Sequence, residues 1–274
     1  INDLILGRAE LPMPENVTEK NMRQIRAASK LIRRKQRQYE TQNLQFAEMR
    51  EDAGLKEYLD RTTFINKDGE VCEFTDLQKH DLNLVLQKRY ALLNWQQGSG
   101  KTAAVYHRAK YLLKFRKAKN VIILAPAIAT NMTWIPFLTI NKERFRTIQT
   151  AGDLNNIPEG TFLVVSTSML RKLKRGLMHF VKRTSGKLCL VFYESDEITN
   201  PTSQRTRNIL CIFRRLRYKI LDTGTTTRNN IAELYSQFEL LYNNSVNMIC
   251  WSPQVYHENR DHEIEEENNP DYGT

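Results

Sequence analysis

From residue 90 onward, short apolar runs alternate with stretches in which apolar residues recur every three or four positions. The runs Tyr90–Leu93, Val121–Ala125, Phe145–Gln149, Thr161–Ser166, Lys187–Tyr193 and Tyr218–Asp222 predict strands. Val121–Ala125 is continuous and rich in β-branched residues, as in a strand buried on both faces. Helical periodicity occupies 76–86, 103–114, 131–141, 168–183, 203–216 and 231–242. Alternation of this kind predicts an α/β fold, a mostly parallel sheet with helices on both faces. Ligands of such sheets bind at the carboxyl ends of the strands, where the polar loops of this chain fall.

The N-terminal part reads differently. Pro12 and Pro14 keep residues 1–14 irregular, and a helical pattern follows from Asn16 to about Arg50, opened by a capping box of Asn16 and Glu19. Met22, Ile25, Ser29, Ile32 and Tyr39 share one face, and Arg23, Arg26, Lys30, Arg33, Arg34, Lys35 and Arg37 surround it. Two readings stay open for this helix: docking with a solvated basic face, or a brace along nucleic acid. Gly54 punctuates the next stretch, and Phe64-Ile65 and Val71-Cys72 predict a hairpin across Asn66-Lys67-Asp68-Gly69. The expected organisation is a basic helical extension with a short hairpin (1–70), an α/β lobe (71–256) and an acidic tail or linker (257–274).

Composition narrows the class. The chain has 274 residues, 41% of them hydrophobic, which suits one large α/β domain with an appendage. No apolar run approaches a membrane span, and the start at Ile1 rather than Met leads us to expect a fragment without a signal peptide. Four scattered cysteines without Cys/His clustering argue for a reducing, cytoplasmic setting and against structural zinc. Net charge is +10, and residues 257–274 hold seven acidic side chains against one arginine, so the remainder carries +16. A polyanion, commonly nucleic acid, is the partner such a charge favours.

The candidate chemistry begins at Asn94-Trp95-Gln96-Gln97-Gly98-Ser99-Gly100-Lys101-Thr102, between a strand and a helix. This is the layout of a phosphate-binding loop. Gly98 and Gly100 would let the backbone N–H groups around Ser99 approach phosphate oxygens, Lys101 would reach the β/γ-phosphates, and the Thr102 hydroxyl would sit on Mg²⁺. Trp95 stands where the eight-residue pattern carries its first glycine.

Downstream residues carry a resemblance. Glu194-Ser195-Asp196-Glu197-Ile198-Thr199-Asn200-Pro201-Thr202-Ser203 resembles the second motif of Swi/Snf-type DNA translocases, Asp-Glu-Ala-His followed two residues on by Lys-Asn and a Pro/Ser-rich stretch. The run from Leu221 through Asp222, Thr223, Gly224 and Thr225 to Asn229-Asn230 and Glu233-Leu234-Tyr235 is similar to the third motif, Leu-Thr-Gly-Thr-Pro, and its tail. Val121–Pro126 with Trp134 resembles motif Ia, and Val165-Ser166-Thr167-Ser168 a strand end that touches the nucleic-acid backbone. The four motifs stand in the family's order, and superfamily-two motors do not require a glycine at position 95.

The resemblance implies a RecA-like three-layer sandwich, the first lobe of a two-lobed, DNA-dependent ATPase that moves on duplex DNA. ATP would be held by Gly98, Ser99, Gly100, Lys101 and Thr102, with Mg²⁺ on Thr102. Glu194 would be the catalytic glutamate that polarises water. Thr223, Gly224 and Thr225 would couple nucleotide state to DNA contacts, and Ala125, Pro126, Ser166 and Thr167 would line the tracking groove.

Three departures accompany it. Tyr193 stands where the family holds Mg²⁺ with Asp, and a neutral phenol is a poor ligand for a hard cation. Asp196 and Glu197 lie three residues on, about 10 Å along an extended chain. Asp and Tyr codons differ by one base, so a single lesion or a lobe that hydrolyses poorly both account for Tyr193. Thr226 replaces a proline, and Asp81 stands where an adenine-reading Gln follows His80, with Gln78 nearby. A second lobe is expected outside this chain. Because that lobe supplies an arginine finger, such residues being worth about 10³–10⁵ in rate, the chain alone is expected to be a very slow ATPase. The alternative is a degenerate, non-hydrolysing module that binds nucleotide and nucleic acid. A small-molecule kinase is disfavoured, since it leaves Thr223-Gly224-Thr225 unexplained.

Overall fold

The structure, a computed structural model, describes residues 49–184, 187–224 and 233–242 and parts of the segment 18–33. Within that segment 22–26, 28–30 and 32–33 are helical; Met22, Ile25 and Ile32 are half-buried, while Arg23, Arg26, Lys30 and Arg33 are exposed, the division the amphipathic pattern predicts. Asn16, residues 243–256 and the acidic stretch 257–274 lie outside the described residues.

Residues 50–241 form one compact unit. It opens with helix α1 (Ala53–Asp60), which corrects the expectation that Gly54 interrupts the chain. Asp52 caps this helix, its side chain accepting from the Leu55 N–H. The predicted hairpin follows: β1 (Thr63–Ile65) pairs antiparallel with β2 (Val71–Glu73), Phe64 opposite Cys72. Helix α2 (Asp76–Gln87) then leads to β3 (Tyr90–Leu93).

Beyond it come α3 (Lys101–Lys114), β4 (Asn120–Ala125), β5 (Phe145–Thr147), β6 (Phe162–Ser166), α5 (Leu170–Arg183), β7 (Leu188–Phe192), α6 (Gln204–Phe213), β8 (Tyr218–Asp222) and α7 (Leu234–Tyr242). Helix α4 lies between β4 and β5; its ends are α-helical (Ala127–Ala129 and Ile135–Ile140) and its middle, Thr130–Trp134, is π-helical. Pro136 accounts for the wide turn, because its ring cannot donate to the preceding turn and crowds the carbonyl four residues back.

Six strands form one sheet in the order β3-β8-β7-β4-β6-β5, every pairing parallel. Strands β4, β7 and β8 are buried along their whole length, which explains the unbroken apolar runs Val121–Ala125 and Leu188–Phe192, while β8 buries Lys219 and Asp222 as well. Alternate residues face opposite layers. Val121, Ile123, Val164, Cys189, Val191 and Ile220 join a core with Ala104, Tyr106 and Leu112 of α3. Ile122, Leu124, Val165, Leu190 and Leu221 are equally buried and point the other way, toward the layer formed by α5 and α6, which pack on each other. Helix α5 buries Leu170, Leu173, Leu177 and Phe180 and exposes Arg171, Lys172, Arg175, Lys182 and Arg183. This is the expected three-layer α/β arrangement, and it brings the carboxyl ends of β3, β8, β7, β4 and β6 to one edge.

Candidate nucleotide site

The loop after β3 turns back at Gly98 (φ +78°) and Gly100 (φ +81°), left-handed values that glycine adopts without strain. Gly100 is the N-cap of α3, so the first N–H groups of that helix face the loop. Helix α2 braces it from behind. The Gln78 side chain accepts from the Thr75 N–H at 2.8 Å, closing a capping box, and donates Nε2 to the Ser99 carbonyl at 2.9 Å. Trp95 Nε1 donates to Asp81 Oδ2 at 2.8 Å. Asp81, which stands where an adenine-reading Gln is expected, and the nearby Gln78 are thus both engaged by the loop, and Trp95 is tied down by its own hydrogen bond. Lys101 is 7% exposed, with Nζ donating to the Trp95 and Gln96 carbonyls, both at 3.0 Å.

The neighbouring strand closes the other side. Leu93 pairs with Asp222, the Thr223 N–H donates to the Leu93 carbonyl at 3.2 Å, and Thr223 is fully buried. A Cβ on Gly224 would stand 3.2 Å from Gln97 Cγ and 3.5 Å from Lys101 Nζ, so that glycine permits a close approach to the loop. Thr225 lies outside the described residues.

At the end of β7, Phe192 pairs with Leu221, which places Tyr193 beside Asp222. Tyr193 lies close to the Thr102 side chain, and Trp134 of the π-helical turn packs edge-on against its ring, centroids 5.8 Å apart. Trp134 therefore reaches beyond its own helix. Burial pushes the Tyr193 phenol up, and the nearby Asp222 and Glu194 carboxyls push it further, so it is neutral at physiological pH. Glu194 follows in a left-handed conformation (φ +56°), and its N–H donates to Asp222 Oδ1 at 3.1 Å. The chain then winds into a 3-10 turn, Ser195–Ile198, where Asp196 is buried and Glu197 accepts from Arg205 at 3.0 Å.

Asp222 has no solvent exposure, and its Oδ2 has no hydrogen-bond partner. Burial raises its carboxyl to about 8 against the hydrogen bond from Glu194; the Glu194 and Asp196 charges add to the rise and Lys101 opposes it. Sequence reasoning passed over this residue as a strand end. The signal that would have found it is a carboxylate at the carboxyl end of a strand, directly before Thr223-Gly224. Among the described residues no three His, Cys, Asp or Glu side chains gather as a metal site. Mg²⁺ does not require such a cage, since one or two carboxylates, a hydroxyl and substrate phosphates suffice.

The remaining predicted positions lie farther along the same edge. Ala125, the last residue of β4, pairs with Ser166, the last of β6. Pro126 starts α4, Ser166 caps the turn Thr167–Met169, and Thr167 is buried. A cavity of about 760 Å³ between α1, the hairpin and α3, lined by Tyr58, His107, Lys110 and Glu143, includes none of these residues.

No protein-family model and no curated protein sequence matches the chain. Solved structures do. The Swi2/Snf2 ATPase core of Sulfolobus solfataricus in complex with dsDNA is similar over 72% of this chain at a TM-score of 0.59 and 16% identity. The same core domain in a second structure aligns over 73% of the chain at 0.55, again at 16% identity. The chain spans only 41% and 40% of those two cores. The UvsW helicase from bacteriophage T4 aligns over 70% of the chain at 14% identity, with a TM-score of 0.47. No helix among the described residues is long and apolar enough to cross a membrane. Over its compact unit, then, the chain has the α/β, RecA-like fold of a Swi2/Snf2 ATPase core.

Proposed function

We propose that this chain is the ATP-binding first lobe of a Swi/Snf-type motor that couples ATP hydrolysis to movement along duplex DNA. The observation that carries the reading is the convergence of Lys101, Thr102, Glu194 and Gly224 at one edge of the sheet, from three strands far apart in sequence. In this reading Lys101 leaves its two loop carbonyls for the β/γ-phosphates, while the N–H groups around Gly98, Ser99 and Gly100 hold the phosphate oxygens. Glu194 orients and polarises the attacking water. Bound Mg²⁺ would neutralise charge on the phosphates, and the Thr102 hydroxyl would hold it on the loop side. Thr223 and Gly224 join this site to the strand ends, where we assign the half-buried Pro126 and Ser166 to the DNA groove together with the basic face of α5; Ala125 and Thr167 are buried and would support that groove from behind. One of the similar cores is a complex with dsDNA, which supports this choice of partner. A second RecA-like lobe completes the catalytic site, and the free Cys72, Cys189 and Cys211 support a reducing, cytoplasmic setting.

The test is ATP turnover by the longer protein with and without duplex DNA. DNA should accelerate turnover and Lys101→Ala should abolish it. DNA-independent turnover, or full activity in the variant, refutes the reading. Tyr193 favours one competitor, a lobe that binds nucleotide and DNA without hydrolysis. Under that reading, turnover stays absent in the longer protein, and Tyr193→Asp gains none.

A further inference from the structure

Tyr193 and Asp222 lie side by side at the ends of two neighbouring strands. Phe192 opposite Leu221 sets the register, and the next residue on each strand is the tyrosine on β7 and the aspartate on β8. Adjacent strands are about 4.8 Å apart, so a carboxylate moved from one of these positions to the other shifts by a single strand spacing. The move is toward the phosphate loop, because β8 lies between β7 and β3 and Asp222 is itself paired with Leu93, the residue before that loop. Two residues on, the backbone at Gly224 approaches Lys101 Nζ so closely that a Cβ there would stand 3.5 Å from it.

The aspartate is also poised. Oδ1 is committed to the Glu194 N–H, but Oδ2 is fully buried without any partner. An orphaned carboxylate oxygen in a protein interior is destabilising unless a water or an ion completes it. Other carboxylates of this loop fit less well. Glu197 also has an unpartnered oxygen, Oε2, but its Oε1 is paired with Arg205, and Glu194 is the residue assigned to water. The pattern given above for the third motif has leucine before Thr-Gly-Thr, whereas this chain has Asp222. The residue lost from one strand end and the one gained at the next are therefore neighbours in space.

We propose that Asp222, from β8, supplies the carboxylate oxygen that holds the divalent cation of this site, in place of a ligand at position 193. Tyr193 then acts as a wall: its ring rests on Trp134, beside the Thr102 side chain. The inference rests on the nucleotide-binding reading above and deepens it, since it makes the lobe a cation binder by a relocated ligand.

Binding of Mn²⁺, read by the loss of its free electron-paramagnetic-resonance signal, tests this in the 274-residue chain with ADP present. ADP affinity in EDTA is measured alongside. Wild type should take up Mn²⁺ with ADP. Asp222→Asn keeps an oxygen for the Glu194 N–H; it should bind ADP in EDTA like wild type and lose at least about tenfold in Mn²⁺ affinity. Mn²⁺ affinity within about twofold of wild type would make Asp222 purely structural and overturn the proposal. So would a wild type that binds ADP but no Mn²⁺. If Asp222→Asn does not fold, the double variant Tyr193→Asp/Asp222→Leu decides. Retained Mn²⁺ uptake supports a carboxylate exchangeable between the two strand ends, and loss of uptake with ADP binding intact counts against it. If ADP binds neither wild type nor Lys101→Ala, the nucleotide reading itself fails, an outcome distinct from the others.

Discussion

Replacing His107 by leucine probes how the phosphate-loop helix is anchored. His107 sits on α3 and is 4% exposed, among the rings of Phe64, Phe74 and Tyr106 at centroid distances of 5.9, 5.2 and 4.8 Å. Neither ring nitrogen has a hydrogen-bond partner. Burial, helped by the Lys110 charge, lowers its pKa from 6.5 to about 3. The unfolded chain therefore takes up this proton near pH 6.5 and the native protein only near pH 3. Between those values the unfolded state binds more protons, so native stability falls as the pH falls. At about 1.36 kcal/mol per pH unit the full loss is about 5 kcal/mol, and by pH 5 it is about 2 kcal/mol. Leucine has no proton to bind and no orphaned nitrogens, so His107→Leu should be at least as stable at pH 7. Its advantage over wild type should grow by about 2 kcal/mol at pH 5. Urea unfolding of both proteins at the two pH values measures this as a difference of differences. Contributions from carboxylates common to both proteins cancel in that comparison. An equal stability difference at pH 7 and pH 5 would refute the reasoning, since it would mean that His107 protonates in the native state as readily as in the unfolded chain.

Two glycine substitutions separate the site from the scaffold. Gly224→Ala places a methyl group 3.2 Å from Gln97 Cγ and 3.5 Å from Lys101 Nζ. It should weaken ADP binding by about tenfold, roughly 1.4 kcal/mol, with little change in melting temperature; unchanged affinity in a titration would show that the loop yields freely. Gly176→Ala should do the reverse. Its Cβ would lie 2.9 Å from Ala151 Cβ and 3.4 Å from Leu154 Cδ1, where α5 packs on the turn Ala151–Leu154. Overpacking of about 1–3 kcal/mol outweighs the roughly 1 kcal/mol that alanine adds in helix propensity, so thermal unfolding should shift down with nucleotide affinity kept.

What could be read from the chain, and what could not, follows one physical division. Strands and their faces were legible because burial on both sides demands unbroken apolar runs, as in Val121–Ala125 and Leu188–Phe192. The hairpin was legible from its turn residues, down to the pairing of Phe64 with Cys72. Helix α1 is obscured in the sequence because Gly54 stands in its first turn, and only Asp52, its N-cap, marks where it begins. The π-helical turn escaped a periodicity set at 3.6 residues, although Pro136 marks where the regular ladder has to give. Strand order is another kind of information. It is settled by pairings between residues 17 to 129 positions apart, and no local pattern carries it.

The candidate site divides in the same way. Gly98–Thr102 announces itself locally, since a glycine turn opening a helix is a single stretch of chain. Tyr193 was legible as a defect and Asp222 only as the end of a strand, because 29 residues separate them in sequence. Inserting β8 between β7 and β3 makes them neighbours, and their meaning changes together. A tyrosine without the aspartate would leave the cation without a carboxylate. An aspartate without the tyrosine would put a second buried carboxylate about one strand spacing from the first, with like charges opposed in a medium that screens them poorly. Either change alone is costly, and the pair relieves both costs. Two isolated substitutions would not be expected to meet at adjacent strand ends beside the phosphate loop, and this is the physical reason for treating them as one exchange.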